Sequence, residues 1–469
     1  MMPGEHPLAG DPGPGLKVLL IAYEFPPSPS PQSLRWAYLA RELALAGHQV
    51  HVLAPEHPGA GLGLPTLPAA VVVHRTFAGP GMGMLNVLAR RGRRRIVAVP
   101  SGDGADAGPA SLDAPAPAPT ALNWKGHVHN ALNRWKVAAF HGMQRVLSRW
   151  FFPDGRAEWY PWAKRRLHAL LKELEPDLVI SSHEPATTLS LGLIAHRAGV
   201  PWIADLGDPV LAPYTPDRWK RRSLALERDV CRSAAMVITT ADQAASVLRE
   251  RHALPEGRIE VLTQGFDGRA REEQAHRSQA TLELLYAGSF YSFRRSSSLL
   301  DAVMATPGVR LNIASIDVPE EVRAASEKSE AIRLLGFLPH TEIVRLQRRH
   351  DVLVNIANAD PCQIPGKFYE YLGAGRPILH VGSEHDAAAE LLRRTGRGWV
   401  CAGDAGDLGL LLASLRAAFE KGALASSMDL SRDPVRHYDW REIGFRLDRT
   451  IRRVVEAGKT TETRKKYTI

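Results

Sequence analysis

The chain has 469 residues, of which 45% are hydrophobic and 23% charged, so it suits two α/β domains of about 200 residues each and cannot be disordered as a whole. Its cysteines, Cys231, Cys362 and Cys401, lie far apart without a CxxC pair, which argues against a disulfide framework or a zinc site and favours the cytoplasm. The net charge of +9 favours an anionic partner, which could be nucleic acid, anionic lipid or a phosphorylated substrate.

The first half of the chain predicts a parallel sheet. After a flexible tail over 1–15, the apolar run Lys17–Ala22 predicts a buried strand that ends in the loop 24–33. A helical pattern and a second strand, QVHVLA, complete a βαβ unit within about forty residues, so the loop is the expected ligand edge. Further strands are predicted at 177–181, 201–205, 235–240 and 259–263.

The second half repeats this alternation, with strands predicted at 282–288, 309–315, 332–337, 351–357, 376–382 and 398–403. Two doubly wound parallel-sheet domains are the simplest fold. We place the N-terminal domain at 16–266, the C-terminal domain at 267–435 and the final helices at 436–469. Within the first domain we expect an insertion at 77–152, whose part 101–120 has a composition typical of disorder. We expect no membrane-spanning segment, because no apolar run of about 18 residues occurs.

The segment 364–382, IPGKFYEYLGAGRPILHVG, is the most informative part of the chain. Pro365 and Gly366 form a turn, and a helix beginning there would direct free backbone N–H groups towards a phosphate. Lys367 adds a positive charge, and Glu370, one turn later, could accept hydrogen bonds from two vicinal hydroxyls such as those of a ribose. The alternative is a solvated pair of charges on an ordinary helix.

This segment resembles the PxKxxEYLAxGxPI signature of glycosyltransferase family 4. The resemblance implies the GT-B fold, in which two Rossmann-like domains face each other across a cleft, and a retaining transfer from a nucleotide-diphosphate sugar. It implies that Glu370 binds the ribose and that the preceding loop, with Pro365, Gly366 and Lys367, binds the diphosphate. It further implies no cofactor and no essential metal. The resemblance runs from Lys17 to about Leu447, excluding roughly 77–152.

Other phrases of the chain carry the same resemblance. The opening, EFPPSPSPQSLRW, resembles the loop that approaches donor and acceptor, which implies acceptor-side roles for Ser28, Ser30 and Arg35. The segment SSHEP resembles the one that carries a histidine near the transferred sugar, and His183 is the matching residue. Asp208 follows in LGDP on the same side.

The phrase LLYAGSFYSFRR resembles the first strand and loop of the donor domain. The resemblance implies that Gly288, Ser289 and Arg294 face the diphosphate, with Arg294 at the position of a family lysine. His183, Arg294 and Lys367 are therefore the expected catalytic residues. Cys362 stands where the family commonly has a first glutamate, and Asp360 lies near enough in sequence to replace it.

The expected function is transfer of a sugar to a lipid-linked, polysaccharide or other envelope acceptor. A sugar-nucleotide epimerase shares the fold and stays an alternative, as does a non-catalytic basic protein that binds nucleotides or nucleic acid. A nicotinamide enzyme is excluded by the absence of GxGxxG after the first strand, where the sequence is YEFPPSPSP. We expect no nucleic-acid partner, because no interleaved aromatic and basic motif of a known module occurs.

The segment 124–150 has apolar residues at intervals of three or four, including Trp124, Trp135 and Trp150, together with five Lys or Arg side chains. This pattern is typical of a helix lying on an anionic membrane, although an ordinary helix packed on the first domain would show it too. The expected location is cytoplasmic, with a peripheral position on the inner face of the membrane if the first interpretation holds.

Overall fold

The computed structural model describes residues 14–28, 30–57, 63–83, 152–213, 215–269, 280–290, 296–358, 360–361, 363–402 and 404–466. Strands and helices alternate along the chain, and the strands form two separate parallel sheets. Arg294, Cys362 and the predicted segments 101–120 and 124–150 lie outside the described residues.

The first sheet has, in the described part of the chain, seven parallel strands in the order β3-β2-β1-β4-β5-β6-β7. They are β1 (Lys17–Ala22), β2 (Gln49–Pro55), β3 (Val71–Thr76), β4 (Leu178–Ser182), β5 (Trp202–Gly207), β6 (Met236–Thr239) and β7 (Ile259–Val261). Leu20 of β1 enters the core on one face of the sheet, and Leu19 enters the core on the other. The strand is buried on both faces, which is why its sequence is apolar without alternation.

The helices of this half are α1 (Pro31–Leu45), α2 (Tyr160–Leu174), α3 (Thr187–Arg197), α4 (Asp217–Ser233) and α5 (Asp242–His252). Short 3-10 turns lie at Ala157–Trp159 and Glu256–Arg258. Ser30 caps α1, since its hydroxyl accepts a hydrogen bond from the backbone N–H of Ser33 at 3.1 Å. Side chains of α1 enter the core on one face of the sheet, whereas those of α2 to α5 enter the core on the other.

The second sheet has six parallel strands among the described residues, in the order β10-β9-β8-β11-β12-β13. They are β8 (Leu282–Ala287), β9 (Val309–Ala314), β10 (Ile332–Gly336), β11 (Val352–Ile356), β12 (Ile378–Val381) and β13 (Gly398–Cys401). The helices are α6 (Ser297–Ala305), α7 (Glu320–Lys328), α8 (His340–Arg349), α9 (Gly366–Ala374), α10 (Ala387–Thr395) and α11 (Ala405–Glu420).

Each sheet has a point at which the strand order reverses. In the first sheet the chain moves outward from β1 to β3 and then returns to place β4 on the other side of β1. In the second sheet it moves outward from β8 to β10 and then places β11 on the other side of β8. The loops after the two central strands diverge at such a switch point and leave a crevice, which is where open α/β sheets bind ligands.

The last helix, α12 (Trp440–Lys466), follows a 3-10 turn at Asp433–Tyr438 and packs on the first domain. Its Ile443 and Leu447 belong to the same core as β1. An ion pair lies nearby: Nη1 of Arg41 on α1 is 3.0 Å from Oδ2 of Asp267, a residue just after the first sheet. Both domains are therefore held together at the side of α1.

The predicted α/β fold of two doubly wound parallel sheets is confirmed. Each predicted strand is observed, and its ends lie within about two residues of the predicted ends, which is the usual uncertainty of such boundaries. β3 was not predicted, because it is an edge strand whose residues after Val71 are exposed or half-exposed, so its sequence lacks a buried run. Within the described ranges, no helix has both the length and the apolar character to cross a membrane. The domain limits stay a prediction.

Candidate functional site

A cleft lies at the carboxyl edge of the second sheet, beside the switch point between β8 and β11. Its wall is formed by the loops after β8, β9 and β10, by one side of α8 and by the first two turns of α9. The principal wall residues are Gly288, Ser289, Ile316, Phe337, Lys367 and Glu370. Concave sites with apolar walls and a few polar groups are where small molecules usually bind.

Lys367 lies beside Gly288. A Cβ atom at position 288 would be 3.4 Å from both Cδ and Nζ of Lys367, and the φ angle of Gly288 is +132°. Glycine adopts this conformation without a steric cost, and it leaves the backbone accessible to a ligand. Nζ of Lys367 also lies 3.7 Å from the ring centre of Tyr286 on β8, in a cation–π contact. A positive charge is thus fixed at the glycine loop.

The N-terminus of α9 adds a second source of positive potential. Pro365 precedes Gly366, the first residue of the helix, and its side chain makes no capping hydrogen bond. Gly366 lies against the first domain, since a Cβ atom there would be 3.6 Å from Cγ of Gln264. The helix dipole and the first N–H groups therefore favour an anion where the two domains approach each other.

Glu370 presents a carboxylate that is held from two sides. Oε1 lies 2.7 Å from Nε2 of His340, the first residue of α8, and Nε2 of Gln347 donates to Oε2 at 3.2 Å. Burial alone would raise the pKa of Glu370, but the charge of His340 and these hydrogen bonds outweigh burial and lower the pKa below its ordinary value. A carboxylate accepts about four hydrogen bonds, so two sites remain for the hydroxyls of a ligand.

A second pocket lies at the carboxyl edge of the first sheet, where α2, α3 and α4 begin. His183, directly after β4, lines it and is buried, with Nδ1 2.8 Å from the carbonyl oxygen of Leu206. A carbonyl oxygen only accepts hydrogen bonds, so Nδ1 carries a proton and Nε2 of the neutral ring is an acceptor. The predicted catalytic histidine therefore presents a defined tautomer at the pocket.

The two halves of the site meet at Gln363. Its Nε2 donates to Oδ2 of Asp208 at 3.0 Å, so a loop of the second domain touches the end of β5 in the first. Burial, followed by the negative charge of Glu184, raises the pKa of Asp208, and Asp360 adds to this effect. Asp360 thus belongs to the same charged cluster as Asp208.

The other predicted acceptor-side residues make contacts inside the first domain. Ser28 is buried and its hydroxyl donates to Oε2 of Glu24, while Ser30 caps α1. Arg35 is fully buried, with Nη2 3.5 Å from Oδ1 of Asp205. Contact with an acceptor stays a prediction for all three, and Arg35 would have to leave this interior position to make one.

Three of the polar residues that organise the site were not predicted from the sequence: His340, Gln347 and Gln363. His340 and Gln347 lie 30 and 23 residues before Glu370, so no spacing within the motif could indicate their contacts. Pro339, directly before His340, was a local signal in the sequence, because a proline often marks the start of a helix. Among the residues that the structure describes, no group of three or more His, Cys, Asp or Glu is arranged to hold a metal ion.

Residues 82–268 match the model of Glycosyltransferase Family 4. The match includes His183 and Asp208, and it begins inside the segment 77–152. The expectation that this segment lies outside the resemblance is therefore wrong for its greater part. No curated protein is similar enough in sequence to this chain to count as a match.

Three solved structures show the same fold. Sucrose-phosphate synthase from Thermosynechococcus elongatus has a TM-score of 0.63 at 14% identity, over 94% of this chain and 100% of that chain. HepE from Anabaena, in complex with UDP-glucose, has a TM-score of 0.57 at 13% identity, over 93% and 99%. A protein from Listeria monocytogenes described as a UDP-N-acetylglucosamine 2-epimerase has a TM-score of 0.51 at 12% identity, over 92% and 94%.

At these identities the likeness concerns the fold, and two doubly wound domains with apposed strand ends place the protein in the GT-B class. The family match over 82–268 covers less than half of the chain, and it shows that this stretch is similar to glycosyltransferase family 4.

Proposed function

We propose that the protein is a retaining glycosyltransferase, which transfers a sugar from a nucleotide-diphosphate sugar to a lipid-linked, polysaccharide or other envelope acceptor. The observation that carries most weight is the convergence of Gly288, Lys367 and Glu370 on one cleft. An accessible backbone and an ammonium group suit a diphosphate, and a carboxylate with free acceptor sites suits the vicinal hydroxyls of a ribose.

In this proposal the donor lies along the cleft in a defined direction. The diphosphate contacts Gly288, Lys367 and the N-terminus of α9, and the ribose contacts Glu370. The base then lies towards Ile316 and Phe337, whose side chains are 70% and 54% exposed and offer apolar surface for stacking. The UDP-glucose in the HepE complex makes a uridine nucleotide the first donor to test.

The chemical step follows from this arrangement. The acceptor oxygen attacks the anomeric carbon from the face that the diphosphate leaves, and the bond from that carbon to the phosphate oxygen breaks. The hydroxyl proton of the acceptor moves to the departing phosphate. Lys367 and the α9 N-terminus stabilise the negative charge on the leaving group, with Arg294 as a further cation, and Nε2 of His183 accepts a hydrogen bond from the transferred sugar. The scheme uses no cofactor and no essential metal.

The acceptor, in this proposal, occupies the pocket beside His183. One wall is Trp219, whose ring centre lies 5.5 Å from that of Phe152. The guanidinium carbons of Arg218 and Arg222 lie 5.6 and 5.4 Å from the Trp219 ring centre. An aromatic surface beside cations suits a sugar joined to phosphate, as in a lipid-linked acceptor. The protein would then work at the inner face of the cytoplasmic membrane, with 124–150 as a membrane contact.

A panel of UDP, GDP, ADP and CMP tests the donor site. A nucleotide at about a hundred times its dissociation constant stabilises the folded chain by roughly 2.7 kcal/mol, which a thermal-shift measurement detects. The matching sugar nucleotide, incubated with a lipid-linked acceptor, should release the nucleotide and form a glycoside with the donor's anomeric configuration, visible by NMR. Inversion of that configuration would refute the retaining mechanism, and no stabilisation by any of the four would refute the donor site.

The Listeria neighbour keeps the epimerase alternative open. An epimerase changes the sugar nucleotide without an acceptor, whereas a transferase needs an acceptor for glycoside formation. Incubation of the protein with UDP-N-acetylglucosamine alone therefore separates the two. We expect no epimer to form, and its appearance would favour the alternative.

A further inference from the structure

His340 connects Glu370 to the opposite domain. On one side its Nε2 lies 2.7 Å from Oε1 of Glu370, in the donor cleft. On the other side its ring centre lies 6.5 Å from that of Tyr38 on α1, at a steep interplanar angle. Tyr38 in turn stacks on Trp440, the first residue of α12, with 5.4 Å between ring centres. The imidazole therefore lies at the junction of the two domains and the crossing helix.

The loop at Gly63 makes a closer contact with the same residue. A Cβ atom at position 63 would be 2.4 Å from the backbone nitrogen of His340, and the imidazole is hydrogen-bonded to the backbone of Gly63. Gly63 belongs to the first domain, between β2 and β3. His340 thus hydrogen-bonds to a carboxylate in one domain and to the main chain of the other.

Both of these partners accept hydrogen bonds, so both ring nitrogens of His340 carry protons when the two bonds are made, and the ring is then an imidazolium. Burial, and the position of His340 at a helix N-terminus, would disfavour this charge. The charge of Glu370 and the two hydrogen bonds outweigh burial, and the pKa of His340 is raised above 6.5. The other charged or titratable groups around it are Asp267, Tyr38 and Arg348, with Arg41 acting through Asp267 and Lys367 through Glu370.

We propose that His340 is a positioning residue of the donor site, which holds the ribose-binding carboxylate of Glu370 in place and makes donor binding depend on the apposition of the two domains. This inference rests on the proposed function, since it takes Glu370 as the ribose ligand. A carboxylate fixed by His340 and Gln347 is preorganised for a ligand, because its rotamer is chosen before the ligand arrives.

A pH dependence follows from the charge of His340. The imidazolium is present below the raised pKa and is lost as the pH rises through it, so donor affinity should fall towards alkaline pH. The second pKa of a phosphate monoester is about 6, so measurements from about pH 7 upward avoid most of the titration of the ligand itself. Reciprocally, a bound nucleotide should raise the pKa of His340.

Calorimetry with UDP, or with the diphosphate that the panel selects, tests the proposal near pH 7 and near pH 9. The variants are His340→Gln, Glu370→Gln and, as a matched control, His350→Gln, at the other end of the same helix. Nδ1 of His350 lies 2.8 Å from the carbonyl oxygen of Leu346, one turn earlier on the same helix. We expect His340→Gln to weaken binding about tenfold near pH 7 and to flatten the loss towards pH 9, with the control unchanged.

The readouts separate positioning from simple folding. In the transfer reaction, His340→Gln should raise the KM for the donor while kcat stays within about twofold. In the wild-type chain, NMR titration of the imidazole should show its pKa rising when UDP binds, which needs no variant to fold. Wild-type affinity in His340→Gln together with a loss in Glu370→Gln would overturn this inference alone. Failure of the wild-type chain to bind any nucleoside diphosphate would overturn the proposed function as well.

Discussion

Replacement of Lys367 by methionine tests whether the donor cleft binds a diphosphate. The ammonium group lies 3.4 Å from the position of a Cβ atom on Gly288, so a phosphate held by that loop would be about 4 Å from the charge. At an effective dielectric constant of about 20, this separation corresponds to roughly 4 kcal/mol of attraction before desolvation. A hydrogen bond to a charged group contributes about 1.5 to 3 kcal/mol net, so we expect the affinity for UDP to fall by about 10- to 150-fold.

The comparison of UDP with uridine makes this prediction specific. Uridine lacks phosphates, so Lys367→Met should leave its affinity nearly unchanged, whereas Glu370→Ala should weaken both ligands by at least about tenfold. Calorimetry gives the dissociation constants of both ligands for the wild-type chain and for each variant, and Lys328→Met, at the exposed end of α7, is the matched control. The thermal midpoint should change little, because methionine has a similar length and can occupy the space beside Tyr286. Equal losses for UDP and uridine would show that Lys367 does not contact the diphosphate.

Three further perturbations address other parts of the molecule. His183→Ala should lower turnover far more than nucleotide affinity, and activity within about twofold of wild type would rule out a catalytic role. Gly373→Ala should cost about 1 to 3 kcal/mol in urea unfolding, because its Cβ would lie 2.2 Å from Cγ of Phe266, whereas Gly409→Ala, with open space around it, should not destabilise. Folded wild-type protein should co-sediment with anionic vesicles at low salt, and serine at the three tryptophans of 124–150 should reduce this binding; an equal response in both proteins would refute the interfacial helix.

The predictable parts of the fold are those that depend on local pattern. β1 and β8 are continuous apolar runs because helices cover both faces of their sheets, so their sequences identify them without tertiary information. The start of α9 is marked by Pro365 and Gly366, which restrict the backbone locally. β3 lacks such a signal, because an edge strand is stabilised by pairing with β2 rather than by burial of its own side chains.

The site is less predictable than the fold, because its polar contacts join distant residues. The resemblance suggested an acceptor-side role for Arg35, but its pairing with Asp205 depends on how α1 packs against β5. The same holds for Glu370, whose local motif suggested a ligand-binding carboxylate, while the partner that orients it comes from the start of another helix. The sequence thus indicates which side chains could bind a ligand. Whether such a charged side chain faces a ligand or pairs with another charge inside the protein depends on the fold.

The two halves of the site are built from different kinds of groups. The donor cleft relies on the backbone at Gly288, the α9 N-terminus and two charged side chains, which form a compact unit on one domain. The pocket beside His183 is lined by side chains from the starts of three helices, and it contacts the donor loop at the hydrogen bond from Gln363 to Asp208. In the proposed function, substitutions at exposed positions of the first-domain loops should alter the acceptor without disturbing the nucleotide contacts, because surface loop positions tolerate exchange, whereas Ala186 and Val210 of the same loops belong to the core.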